Sequence, residues 1–141
     1  GRIDAEPGTI EPVERVEDEA VLMDSLILCK FLRGVFEDRV AGMAELLRPV
    51  TGWDVSPEEL RETAGRIVTA KKAYNIAQGW TPAEDTLPQR FFEEPLGEGG
   101  SQGAQLDPDR LAAQIRAYNL QRGWTAEGYV PEDRLVALGL A

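Results

Sequence analysis

A mostly α fold, an irregular helical bundle with a long Pro/Gly-rich connection, follows from three observations. Apolar residues recur at helical spacing in three separate stretches. Each of these stretches is bracketed by residues that start and stop helices. Runs alternating apolar with polar residues, the mark of a half-buried strand, are scarce. With 141 residues, 43% of them hydrophobic, the chain is long enough to close one core.

The first helix is expected over 35–48, where Phe36, Val40, Met43 and Leu47 fall on one stripe before Pro49 and Gly52 end it. The second spans 57–78. Ser56 caps it, Pro57 suits its first turn and Glu59 completes a capping box. Leu60, Ala64, Ile67, Val68 and Tyr74 mark its buried side, and Gly79 closes it. Pro82, Pro88, Pro95 and the glycine cluster at 97–103 make 80–106 an irregular connection. Asp107-Pro108 opens a helix over 108–122 that buries Leu111, Ile115 and Tyr118, and Gly123 stops it. A short last helix starts near Pro131 and ends before Gly139. The expected core holds Phe36, Leu47, Leu60, Ile67, Leu111 and Ile115.

Ala73–Thr81 and Ala117–Thr125 are identical at Ala, Tyr, Asn, Gly, Trp and Thr. The favoured reading is a shared helix ending: a buried Tyr, a Gly at positive φ and a Trp folded back on the last turn. Two Trp residues clamping a ligand is the less favoured alternative. The chain's beginning differs in character. Residues 1–24 carry eight acids against Arg2 and Arg15, with Pro7 and Pro12 among them. Residues 1–20 therefore read as an exposed, partly extended acidic segment leading into a helical domain over 21–141. Since the chain opens on Gly1 and its first methionine is Met23, it is expected to be a piece of a longer protein.

Composition removes several classes of function. Without histidine, the chain by itself cannot build a Ser-His-Asp triad, a Cys-His dyad or a His-bearing metal site. With one cysteine, Cys29, it cannot form a disulfide, a zinc ribbon or a self-contained iron–sulfur site. A net charge of -10 argues against nucleic acid as a partner. No apolar run reaches the roughly 18–20 residues of a membrane span, and the lone thiol without a secretion signal fits a cytoplasmic protein.

The densest candidate for chemistry is Met23–Phe31. A Cys29 thiolate can serve as nucleophile or soft-metal ligand, with Lys30 beside it, or the residue can be a small buried hydrophobe, which spacing alone favours. On a continuous helix Asp24 and Cys29 lie about 140° apart, and in a strand they face opposite ways. They meet one ligand only if the backbone turns between them, and Leu26-Ile27-Leu28 carries no sign of a turn.

Asp24-x-x-x-Leu28-Cys29-Lys30-Phe31 resembles the pterin-binding motif Asp-x-x-Gly-Leu-Cys of the tungsten-dependent aldehyde:ferredoxin oxidoreductases. The likeness continues in order through Thr51-Gly52-Trp53, Pro57-Glu58-Glu59-Leu60, Gly65-Arg66-Ile67 and Tyr74-Asn75. It goes on through the run from Asp85 to Leu96, Arg122-Gly123-Trp124 and Leu138-Gly139-Leu140. The resemblance implies a C-terminal helical domain of an oxidoreductase. Its parent would hold tungsten on two pyranopterins of the molybdopterin type beside a 4Fe-4S cluster. Cys29 would be the fourth cluster thiolate and so a metal ligand. Asp24 would accept hydrogen bonds from pterin N–H groups, and Leu28 would add backbone contacts.

The implied partners are an aldehyde substrate, ferredoxin and the upstream domains of the same enzyme. Other relatives the resemblance allows are an aryl-CoA reductase subunit and a cofactor-free helical interaction module. Ile27 replaces the motif glycine, Tyr118-Asn119 stands where two tyrosines are common, and Lys72 and Ala77 replace arginines. The isolated chain is expected to be inactive, without cluster or tungsten. It should leave Leu28 or Phe31 in an exposed apolar patch through which a homodimer can form.

Overall fold

The computed structural model describes residues 10–97 and 103–141. It is mostly helical, with no strand among the described residues. The helices are α1 (Ile10–Ser25), α2 (Arg39–Thr51), α3 (Pro57–Ala77), α4 (Arg90–Glu93), α5 (Pro108–Gln121) and α6 (Glu132–Ala137). Two 3₁₀ turns, Lys30–Gly34 and Pro82–Glu84, interrupt the connections.

The long helix α3 is the axis of the bundle, with α1 and α2 packed on it and α5 against α1. Its start is the expected capping box: Glu59 N–H donates to Ser56 Oγ at 3.2 Å and Ser56 N–H to Glu59 Oε2 at 2.8 Å. Along α3, Leu60, Ala64 and Val68 face Val21, Leu22 and Met23 of α1 and Val40, Met43 and Ala44 of α2 in one cluster closed by Trp124. Leu22 and Met43 are almost wholly removed from water, and truncating either to Ala should cost about 2–5 kcal/mol.

Several expectations are corrected. Residues 10–20 are not extended; they form most of α1, and its Val21-Leu22-Met23 end supplies a third of the buried apolar cluster. Four acids of this helix find partners, Glu19 with Arg39 at 2.5 Å and Glu14, Glu17 and Asp18 with Arg122, which reduces the repulsion an isolated acidic run would suffer. Residues 1–9 lie outside the described residues, as do 98–102 of the glycine cluster. Helix α2 begins at Arg39 rather than 35, because the Asp38 carboxylate caps it, accepting from the N–H groups of Val40 (2.9 Å) and Ala41 (3.1 Å). Phe36 therefore precedes the helix and lays its ring on Gly42.

Pro49 sits inside α2 instead of ending it. One helical hydrogen bond is missing, but it belongs to an exposed final turn where water reaches the free carbonyl. The helix stops at Gly52, at φ 76°. Of the expected core, Leu60 is buried, Leu47 and Ile67 pack on its edge, and Phe36, Leu111 and Ile115 are half-buried. Tyr74, expected inside, is two-thirds exposed. No described helix is long and apolar enough to cross a membrane.

Candidate functional site

Helix α1 ends in a tight reversal that carries the sequence-predicted site. Ile27 N–H donates to Asp24 O (3.2 Å) and Leu28 N–H to Met23 O (2.9 Å), the paired bonds of a Schellman ending. That ending needs a left-handed residue after the last turn, and Ile27 supplies it at φ 56°. The expectation of no turn between Asp24 and Cys29 is thus corrected. The driving force is legible afterwards: Leu28 folds back onto the core beside Met23, the apolar contact that accompanies this motif. Burying Leu28 drags Ile27 into a conformation that β-branched residues avoid.

After the reversal, Cys29 opens the 3₁₀ turn, its carbonyl accepting from Leu32 N–H at 2.9 Å. Its thiol is free and exposed, against the reading of a buried hydrophobe. The Asp24 side chain is half exposed and holds Lys30 Nζ at 3.2 Å. The lysine expected to serve the thiol is thus engaged by the carboxylate. Around these groups lies an apolar surface. Ile27 and Phe31 are more than nine-tenths exposed and Val35 is largely so.

Asp24 also borders a cleft of about 750 Å³ between α1, α3, α5 and the Asp85–Leu87 segment. Its walls combine aliphatic residues, including Val21, Val68 and Leu111, with polar and charged ones, and Trp124 is among them. The Trp124 indole N–H is buried without a partner. On the α3 side, Lys72 Nζ lies 3.1 Å from the Trp80 ring centroid and 5.6 Å from that of Trp124, and 3.1 Å from Asp85 Oδ2. Trp80 Nε1 donates to Asp85 Oδ1 at 3.2 Å.

The internal echo now has a physical account. Gly79 (φ 98°) and Gly123 (φ 74°) end α3 and α5 alike, with Trp80 N–H reaching back to Asn75 O and Trp124 N–H to Asn119 O. Both tryptophans are thereby delivered to one lysine of the same chain. Tyr118 meets Trp124 edge-on at 5.8 Å, whereas Tyr74 points away, so the copies differ at the tyrosine.

Sequence reasoning missed Arg122. Its side chain is 3% exposed and is met by carboxylates of α1. The available signal was Glu14, Glu17 and Asp18 at i, i+3 and i+4, one helical face of acids needing a cation. Burial holds the Asp18 carboxyl above the usual range even though Arg122 draws it down, since one guanidinium is shared among three acids. Burial first, and then the hydrogen bond to Glu17, raise the Tyr118 phenol far above its ordinary value.

Residues 2–140 match the family model described as aldehyde ferredoxin oxidoreductase, domains 2 & 3. The chain belongs to that family. It is 36% identical over 126 residues to a tungsten-containing aldehyde ferredoxin oxidoreductase of Pyrococcus furiosus, covering 89% of this chain and 20% of the relative. The corresponding enzyme of Thermococcus kodakarensis is 35% identical with the same coverage. An aliphatic sulfonate oxidoreductase, WOR-like subunit, of Pyrococcus furiosus is 26% identical over 83% of this chain and 19% of its own length. The chain thus spans about a fifth of the length of the curated relatives it matches.

The site fits the cofactors of an aldehyde ferredoxin oxidoreductase in donor type. A carboxylate able to accept N–H bonds borders a cleft, and a free thiol is exposed on the far side of the α1 reversal. Among the described residues no group of three or more His, Cys, Asp or Glu could hold a metal ion, so a cluster would draw its other ligands from elsewhere.

Proposed function

We propose that the chain is the helical part of an enzyme that oxidises an aldehyde to a carboxylic acid, RCHO + H₂O → RCOOH + 2H⁺ + 2e⁻, with ferredoxin taking the electrons. The observation that carries the proposal is that Asp24, in the last turn of α1, and Cys29, just past the reversal, are both exposed instead of buried in this chain's own core. The family match over nearly the whole chain supports it. When bound, tungsten on two pyranopterins supplies the two-electron oxidation and the 4Fe-4S cluster carries electrons singly.

This chain's residues hold and tune. Asp24 accepts pterin N–H bonds as a carboxylate, a charge-assisted pairing. Cys29 donates its thiolate to one iron, and the backbone at Leu28, pinned by its bond to Met23, keeps the two groups in register. Lys30, now on Asp24, is the cation that must release that carboxylate or share it. Ile27, Phe31 and Val35 form the apolar face that meets the upstream domains and excludes water from the cluster.

The test is the full-length protein purified without oxygen. Expected are stoichiometric tungsten and iron and aldehyde-dependent reduction of ferredoxin. Cys29→Ser should lose iron or shift the cluster potential, because an alkoxide is a harder and poorer iron ligand. Asp24→Asn should lower pterin content while the helical signal is unchanged. Wild-type metal content and spectra in both variants would sink the assignment. The 26% match to a sulfonate oxidoreductase subunit favours a second reading in the same family, an enzyme for another substrate. An aldehyde panel giving no ferredoxin reduction by a fully metallated enzyme would select it.

A further inference from the structure

We infer that Arg122 is the positioning residue of the α1 reversal, fixing the rotation and axial register of α1 and so where Asp24 and Cys29 are presented. The inference rests on the reading of Asp24 and Cys29 given under Proposed function and adds the group that aims them.

All five guanidinium N–H donors of Arg122 have an acceptor. Nη1 donates to Asp18 Oδ1 at 2.7 Å and to Glu14 Oε1 at 3.3 Å. Nη2 donates to Glu17 Oε2 at 2.5 Å and to the Glu14 carbonyl at 3.3 Å. Nε donates to the Tyr118 hydroxyl at 3.1 Å, and that hydroxyl in turn donates to Glu17. Four of the five acceptors are therefore on α1, spread over just over one turn of helix, and one of them is backbone. The fork is planar and rigid, so these bonds specify an angle as well as a distance, which lysine with three freely rotating donors cannot do.

The base of the fork is fixed as well. Arg122 is the C-cap of α5, its N–H bonded to Tyr118 O, and the next residue, Gly123, sets the helix ending. On α1, Asp18 and Asp24 are six residues apart, about 9 Å along the axis. A tilt of about 10° at the pinned end would carry Asp24 roughly 1.5 Å sideways, and Cys29 beyond it farther. Val21, Leu22 and Met23 set the depth of α1 in the core. Apolar contacts are non-directional and tolerate rotation, so the rotational choice falls to the guanidinium.

The 141-residue chain itself provides a test without any cofactor. The Leu28 amide, whose bond to Met23 closes the reversal, is the reporter, and the Ala64 and Val68 amides in the middle of α3 are the reference. Arg122→Lys and Arg122→Met are compared with wild type by amide hydrogen exchange. Expected is at least a tenfold faster exchange at Leu28, with the α3 amides changed less than threefold. Unchanged exchange at Leu28, or equal acceleration at Leu28 and α3, would overturn the inference, the latter because it marks Arg122 as general stability only. Should the Arg122 variants not fold, Asp18→Asn removes one ionic acceptor at nearly constant volume. It must give the same selective acceleration, and a uniform or absent one overturns the inference equally. In the full-length enzyme Arg122→Lys should keep its iron and shift the midpoint potential or electron paramagnetic resonance of the cluster. Selective exchange at Leu28 with an unmoved cluster would refute the role of Cys29 while leaving Arg122 as the aligner of α1.

Discussion

Replacing Ile27 by glycine should make this chain more stable. Ile27 sits at φ 56°, where its branched Cβ crowds the backbone, and a non-glycine residue there costs of the order of 1–3 kcal/mol. The side chain repays almost nothing, being 92% exposed, so removing it forfeits less than about 0.5 kcal/mol of burial. Glycine adds back a backbone-entropy cost of roughly 0.5–1 kcal/mol. The balance is a gain of about 1 kcal/mol, or roughly 3–5 °C in Tm for a domain of this size. Urea unfolding followed by far-UV circular dichroism measures it, with an unchanged slope showing that the surface exposed on unfolding is the same in both proteins. Ile27→Ala, which keeps a Cβ at positive φ, should recover only part of the gain. A less stable glycine variant, or an alanine variant as stable as the glycine one, would refute the assignment of strain to φ.

Three further outcomes follow from other positions. Gly65→Ala should stabilise α3 by about 0.5–1 kcal/mol, since its Cβ meets nothing within 4 Å, whereas Gly42→Ala should destabilise because its Cβ would lie 2.5 Å from Phe36 Cδ1; paired thermal melts decide both. Cys29 should react with an aromatic disulfide reagent at full stoichiometry in the native chain, and a reaction that waits for denaturant would contradict its exposure. The N–H of Ala41, helped by that of Val40 and by Arg61, holds the Asp38 carboxyl below the usual aspartate range. Asp38 therefore stabilises the fold above about pH 4 and loses that contribution as the pH falls through its lowered value. Asp38→Asn should keep the cap but flatten this acid limb in urea titrations between pH 2 and 7.

The sequence by itself determined the helices whose ends are local chemistry. Ser56 and Glu59 bond within one turn, Asp107 caps α5, and Gly79, Gly123 and Gly139 each stand where a helix reverses, so α3, α5 and α6 lie within a residue or two of expectation. The family was likewise legible, because the order of motifs names it without any coordinates. Tertiary structure decided what depends on partners distant in sequence. The acid-rich residues 10–20 look unable to fold alone, and they become α1 only because Arg122, more than a hundred residues later, neutralises their inner face while Val21, Leu22 and Met23 bury against α3. Ile27 carries no turn signal, since its own preference is for extended backbone. It takes a left-handed turn because burying Leu28 beside Met23 outweighs the strain at one residue. Local preferences of about 1 kcal/mol fix helix ends, but they yield wherever a buried contact or a desolvated ion pair of larger free energy demands another course.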